Sequence, residues 1–208
     1  MRKAPFAARV RVLGSGRSGS AGRFSNDRVI HMKFTKMQAA GNDYVYMEAL
    51  KAPVPNPGDL SRRISDRHFG VGGDGLILIC PPTDPDAADF RMRMFNADGS
   101  EGKMCGNGVR CVAQFLYTHG VPKDVIEIDT LMAGRKTLHR KGEGLWQAEM
   151  GHFSAMADTL PAVGLGAGPL VHASLTAAGK TWDAACISTG NPHCIIEWPD
   201  CDTLPTGH

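Results

Sequence analysis

The sequence has no apolar run approaching the ~20 residues that a membrane-spanning helix needs, no signal-peptide hydrophobic stretch and no Cys-x-x-Cys pair. The first two absences argue against a membrane or secreted protein, and the third against a thiol redox protein. Cys105/Cys111 and His193/Cys194 lack the short paired spacings of structural zinc sites, so no metal is expected. A large excess of charge of one sign is missing too: 23 basic and 21 acidic residues leave a formal net charge of +2. Even that surplus is local, because residues 1–31 hold seven Arg or Lys against the single Asp27, which makes the leader +6 and the remainder −4. The folded body therefore gives no support for nucleic-acid binding. What the chain has is 208 residues, 42% of them hydrophobic and 21% charged, ordinary globular values for one or two domains. Its 25 Gly and 13 Pro point to many turns rather than long helices, and six Cys without a secretion signal point to reduced thiols in the cytoplasm.

Residues 1–31 contain the Gly- and Ser-rich run Gly14-Ser15-Gly16-Arg17-Ser18-Gly19-Ser20-Ala21-Gly22, which is too poor in apolar residues to offset its ordering entropy. Disorder is expected there. The composition also fits an organelle transit peptide, but translation upstream of a natural start at Met32 is the simpler reading. On either reading, starting at Met32 is expected to leave the folded body intact. From Met32 the chain reads as short strands. Residues 33–38 and 43–48 flank the tight connection Ala40-Gly41-Asn42, where Gly and Asn tolerate positive φ. A helix is expected over 60–68, capped by Asp59, then a buried strand over 76–80 and an alternating strand over 90–95. Val109, Val112, Ala113 and Leu116 at i, i+3, i+4 and i+7 predict a helix over 107–119, ended by Gly120 and Pro122. Segments 125–130, 135–141 and 145–150 read as a β-meander. The boundaries are then a leader at 1–31, a first domain at 32–153, and a linker with the opening of a second domain at 154–208. Residues 154–180 read as that linker, and strands are expected over 185–188 and 194–198. Thr189-Gly190-Asn191-Pro192 between those two strands echoes the earlier turn, as a duplicated unit would.

Two motifs bear on chemistry. Gly70-Val71-Gly72-Gly73-Asp74-Gly75 satisfies the G-x-G-x-x-G string, but a helix precedes it and a strand follows, the reverse of a dinucleotide site. It reads instead as a helix-to-strand turn lining a site. Met104-Cys105-Gly106-Asn107-Gly108-Val109-Arg110-Cys111 places Cys105 just before a helix, where unpaired N–H groups and the helix dipole favour a thiolate. Gly106 and Gly108 leave backbone N–H groups open to a substrate carboxylate. The bland alternative is an inert buried thiol in a glycine turn, which suits Cys111, nearly two turns further on, better than Cys105.

Gly41-Asn42-Asp43, Phe95-Asn96-Ala97-Asp98-Gly99-Ser100, Cys105-Gly106-Asn107-Gly108-Val109-Arg110-Cys111 and Gly190-Asn191-Pro192-His193, in that order, resemble the successive signatures of diaminopimelate epimerase from about Met32 to about residue 200. The resemblance implies an α/β (α+β) fold of two similar domains, each a curved, mostly antiparallel sheet wrapped around a central helix. It also implies a pyridoxal-independent, cofactor-free epimerase in which two cysteines act on opposite faces of the substrate α-carbon, interconverting LL- and meso-diaminopimelate. By motif position Cys105 is similar to the first cysteine. Gly106 and Asn107 are implied at the α-carboxylate, Asn42, Asn96 and Asn191 at substrate polar groups, and His193 as an aid to the thiols. Gly75 departs from members that carry Gln there. A homodimer is allowed but not specified.

With the spacing of the first repeat, 64 residues from Gly41 to Cys105, a second catalytic cysteine is expected near position 254, past His208. The second domain is thus expected to be incomplete and this chain to be inactive alone. Another cysteine-dependent racemase of the same fold, such as a proline racemase, and a non-catalytic binding remnant remain the alternatives.

Overall fold

The computed structural model describes residues 32–131, 133–177, 179–189 and 192–198, together with the backbone of 6–18. It divides into two compact units between Glu149 and Met150. In chain order the first unit holds β1 (Phe6–Ser18), β2 (Met32–Ala39), β3 (Asn42–Glu48), α1 (Pro57–Ser65), β4 (Gly75–Cys80), β5 (Phe90–Asn96), β6 (Glu101–Gly102), α2 (Gly106–Thr118), β7 (Val125–Asp129), β8 (Lys136–Gly142) and β9 (Leu145–Ala148).

The strand order β4-β3-β2-β1-β9-β8-β7-β5 closes on itself, because β4 also pairs with β5. The β3–β4 and β5–β7 pairs are parallel and the other neighbours antiparallel. This closed, mostly antiparallel sheet curls around α2, as the α+β expectation required. The helix's Val109, Val112, Ala113 and Leu116 are all buried, and so are Cys111 and Phe115. Trp146 of β9 donates its indole N–H to Gln114 of α2 at 2.7 Å, so the widest core side chain still satisfies its polar edge.

Every residue of β4 is buried. Leu76, Leu78 and Cys80 face Ile64 of α1, with Val45, Met47, Ala49 and Phe95 in the same cluster, while Ile77 points at α2, where a Cβ on Gly108 would come within 2.7 Å of its Cδ1. A strand covered on both faces needs an unbroken apolar run, which Leu-Ile-Leu-Ile-Cys supplies. Burying each of its Leu and Ile side chains contributes about 1.5–3 kcal/mol. Gly75 opens this strand because a Cβ there would overlap the Phe95 carbonyl of β5.

The β2–β3 hairpin is a two-residue turn, with Ala39 opposite Asn42 and both Ala40 (φ 49) and Gly41 (φ 91) left-handed. The positive φ expected of Gly and Asn thus falls on Ala40 and Gly41 instead. Asn42 belongs to the strand, and its side chain is not consumed by the turn.

Two expectations are corrected. Residues 6–18 of the leader form β1, whose first part pairs with β9 (Phe6↔Ala148 to Arg9↔Leu145) and whose remainder pairs with β2 (Val10↔Ala39 to Ser18↔Met32). The leader's lack of an apolar helical face is no obstacle, since a strand in this place is held by backbone ladders on its neighbours. Alternating Arg9-Val10-Arg11-Val12 suits that geometry. The expected disorder at 1–5 and 19–31 lies outside the described residues. The expected linker at 154–180 carries structure as well: a 3-10 turn (Ala157–Thr159), β10 (Ala173–Ala177) and the first residue of β11 (Lys180–Ser188), which pairs in turn with β12 (Pro192–Ile196). Ser154 and Ser188 exchange backbone hydrogen bonds of 2.9 and 2.7 Å, and Leu170, Ala173 and Cys186 form a small buried cluster. Ala- and Gly-rich composition hid these pairings because strand register, not side-chain bulk, makes them.

Candidate active site

The starts of β3 and β4 and the end of β5 lie side by side, through Tyr44↔Gly75 and Gly75↔Asn96. The N-terminus of α2 meets them there. Cys105 is the N-cap of α2: its Sγ accepts the Gly108 N–H at 3.3 Å and its carbonyl accepts the Val109 N–H at 2.9 Å. That leaves the N–H groups of Gly106 and Asn107, the first residues of the helix, without partners inside the helix. Cys105 is half-buried, whereas Cys111 is fully enclosed and burial pushes its thiol up to about 12. Of the two cysteines on this motif, only Cys105 is placed where a ligand can reach it.

A relay of side chains runs from the helix to the turn before β4. Arg110, 1% exposed, donates to the Gly106 carbonyl at 2.6 Å and to Asn107 Oδ1 at 3.3 Å. Asn107 Nδ2 donates to Asn42 Oδ1 at 2.8 Å, and Asn42 Nδ2 donates to Asp74 Oδ2 at 3.1 Å. A guanidinium only donates and a carboxylate only accepts, so the two ends fix which way each amide between them faces. Each Asn keeps one N–H beyond the relay. With the Gly106 and Asn107 backbone N–H groups, the site is rich in donors, which suits a carboxylate.

Asp74 is held in turn by the Asp43 N–H at 3.1 Å and by Arg67 at 3.0 Å. Arg67 also bridges Asp43 with bonds of 2.8 and 3.2 Å, and Lys36 sits 3.1 Å from Asp43. Burial alone would raise the Asp43 carboxyl, but the hydrogen bonds and charges of Arg67 and Lys36 outweigh it and hold the group below the usual carboxylate range. Tyr44, buried next to this cluster, has its phenol pushed up by burial, then by Cys105 and the two carboxylates, and stays protonated.

Cys105, Gly106, Asn107 and Asn42 are therefore brought together. Asn96 stands at the end of β5 with its amide donating to Ser100 Oγ at 3.0 Å and its backbone N–H to the Ser100 carbonyl at 2.9 Å, so it braces the turn beside the site. His193 is exposed on β12 of the second unit, and Asn191 lies outside the described residues. Sequence reading missed Asp74, Asp43, Arg67 and Arg110. Asp43 and Arg110 stand inside the family-like motifs without a role, and Asp74 in the Gly70–Gly75 turn that reads as lining a site; Arg67 gave no signal. Among the described residues no three His, Cys, Asp or Glu side chains converge as a metal site requires, and no helix is long and apolar enough to cross a membrane.

The sequence profile of the diaminopimelate epimerase family matches residues 34–156. Relatives named diaminopimelate epimerase include one from Methanococcus maripaludis strain C5, 43% identical over 179 residues, which cover 84% of this chain and 63% of that protein. One from Desulfovibrio desulfuricans is 42% identical over 185 residues, with 84% and 63% covered, and one from Acetivibrio thermocellus is 40% identical over 179, with 84% and 62% covered. The chain thus spans just under two thirds of these relatives' length. Among solved structures, a phenazine biosynthesis protein of the PhzF family from Bacillus anthracis superposes with a TM-score of 0.48 at 16% identity, over 93% of this chain and 56% of that one. Matched over more than half its length, the chain belongs to the diaminopimelate epimerase family.

Proposed function

We propose that the chain carries one face of the acid–base machinery of a diaminopimelate epimerase, with Cys105 as the thiol that exchanges a proton with the substrate α-carbon. The observation that carries this reading is the placement of Cys105 as the cap of α2, beside the unpartnered Gly106 and Asn107 N–H groups and the Asn107–Asn42–Asp74 relay. The backbone N–H groups and the spare amide N–H groups receive the substrate α-carboxylate. The Cys105 thiolate then takes the α-hydrogen as a proton, and the electron pair left on carbon delocalises into the carboxylate. The same donors at the helix N-terminus stabilise that added charge, which is why no cofactor is called for. Inversion is completed when an acid on the opposite face returns a proton to carbon. Asn96, Asn191 and His193 take the substrate-binding and assisting roles implied by motif position. A cytoplasmic setting is supported by the described cysteines, all of them free thiols.

The test is α-hydrogen exchange of LL-diaminopimelate in deuterated water, read by mass spectrometry. Slow deuterium incorporation is expected from the 208-residue chain, falling at least ~100-fold in Cys105→Ser. Exchange no faster than that of the Cys105→Ser variant would overturn the reading. Faster exchange of proline than of diaminopimelate would instead assign a related racemase.

A further inference from the structure

A second basic concavity lies at the far end of the strands that carry the Cys105 site. The six residues of β4 put five steps between Gly75 and Cys80, which at ~3.3 Å per residue is roughly 16 Å. Here the segment after β3 lies beside the last residues of β4 and the first of β5. Together they form an open pocket of about 300 Å³ lined by Lys51, Val54, Leu78, Cys80, Arg91 and Arg93, among others. That is the lower end of the ~300–1,000 Å³ range of small-molecule sites.

The lining holds three cationic side chains and no acidic one. Arg93 is already satisfied, gripping Glu101 through two bonds of 2.7 and 2.9 Å. Arg91 is not. Among the described residues no carboxylate lies within ion-pair distance of it, its NH1 reaches Thr83 Oγ1 only at 3.5 Å, and its Nε is shut away from solvent with no partner. A buried guanidinium N–H left unpaired is unfavourable, and it marks a place where an acceptor is missing. Arg91 also hydrogen-bonds the Cys80 thiol, but burial raises that thiol against this bond and the charges of Arg91 and Arg93, so it stays a neutral, weak acceptor and no thiolate fills the role. Leu78 and Val54 give the cavity an apolar wall that an inorganic ion would leave unused.

We propose that this cavity binds a small organic anion, its carboxylate or phosphate head on Arg91 and Lys51 and its apolar body on Leu78 and Val54. The test is a two-dimensional ¹H–¹⁵N NMR titration of the 208-residue chain with phenyl phosphate, phenylacetate, inorganic phosphate and benzyl alcohol. Saturable shifts of the Arg91 Nε–H and of the backbone amides of residues 50–54 are expected with phenyl phosphate, phenylacetate or both, and the stronger of the two identifies the head group. Benzyl alcohol, with the body but no charge, binds at least tenfold more weakly. Lys51→Glu, on an exposed position that cannot unfold the sheet, weakens binding at least tenfold, and Arg91→Gln weakens it further. Absence of saturable shifts at Arg91, unchanged affinity in Lys51→Glu, or inorganic phosphate binding as tightly as phenyl phosphate would each overturn the proposal.

Discussion

Asn42 and Asn107 stand 65 residues apart in sequence and 2.8 Å apart in space, and neither could hold its orientation without the charged groups at the two ends of their relay. Asp74 is the end that sequence reading passes over. Its carboxylate touches side chains and backbone of its own molecule rather than a reacting atom, so the glycine-rich turn that holds it gives its place beside the site but not its role. Cys105 was legible for the opposite reason: a cysteine before a glycine-opened helix has a direct physical meaning wherever it occurs. Replacing Asp74 with Asn tests the relay. An amide accepts and donates, so Asn42 would no longer be forced to turn its oxygen toward Asn107, and the donors facing the substrate would lose their register. Cys105-dependent α-hydrogen exchange is expected to fall about 10- to 100-fold, the scale of a misplacement near 1 Å, while the side-chain amide resonances of Asn42 and Asn107 shift. Wild-type exchange with unmoved amide resonances would show that the relay orients nothing.

Elements with a strong period were readable in advance. The helix expected over 107–119 is α2 (Gly106–Thr118), and the strands expected over 76–80 and 90–95 are β4 and β5 to within a residue. The two-residue β6 and the Ala-Ser-Leu-Thr-Ala strand β10 were not, since neither has enough alternation to separate it from a loop. Turn chemistry was half legible. A tight β2–β3 turn was expected, but its left-handed residues prove to be Ala40 and Gly41, and Ala is an uncomfortable occupant of that region. Two-residue hairpin turns with positive φ at both positions favour Asn-Gly. Ala40→Asn, at an exposed position, is therefore expected to stabilise the protein by about 1 kcal/mol, read as a higher urea midpoint with an unchanged slope. A lower midpoint would mean that Ala40 makes a contact worth more than its backbone strain.

At the scale of the whole first unit, the feature least visible in sequence is closure. Pairing of β4 with both β3 and β5 joins strands that each look like ordinary members of a sheet, and no local pattern announces which neighbours will meet around a helix. Closure matters because an open edge exposes a row of unpaired N–H and C=O groups. In this ring the join between β2 and β9 is made by β1 alone, from the leader that sequence reading set aside as disordered. A protein starting at Met32 would keep α1, α2 and the β4 core, yet it would leave one edge of β2 and one of β9 without their ladders and open one side of the sheet around α2. The outcome expected from sequence, no change in stability, is therefore reversed. The shortened protein should lose about 2 kcal/mol or more, a fall of roughly 5–10 °C in Tm for a domain of this size. It should also elute earlier from a sizing column as concentration rises, because the two bare edges can pair between molecules. The calorimetric comparison decides it: a Tm within 1–2 °C of the full chain, with concentration-independent elution, would show that residues 6–18 contribute no net stability to the sheet and that the ring does not need them to hold.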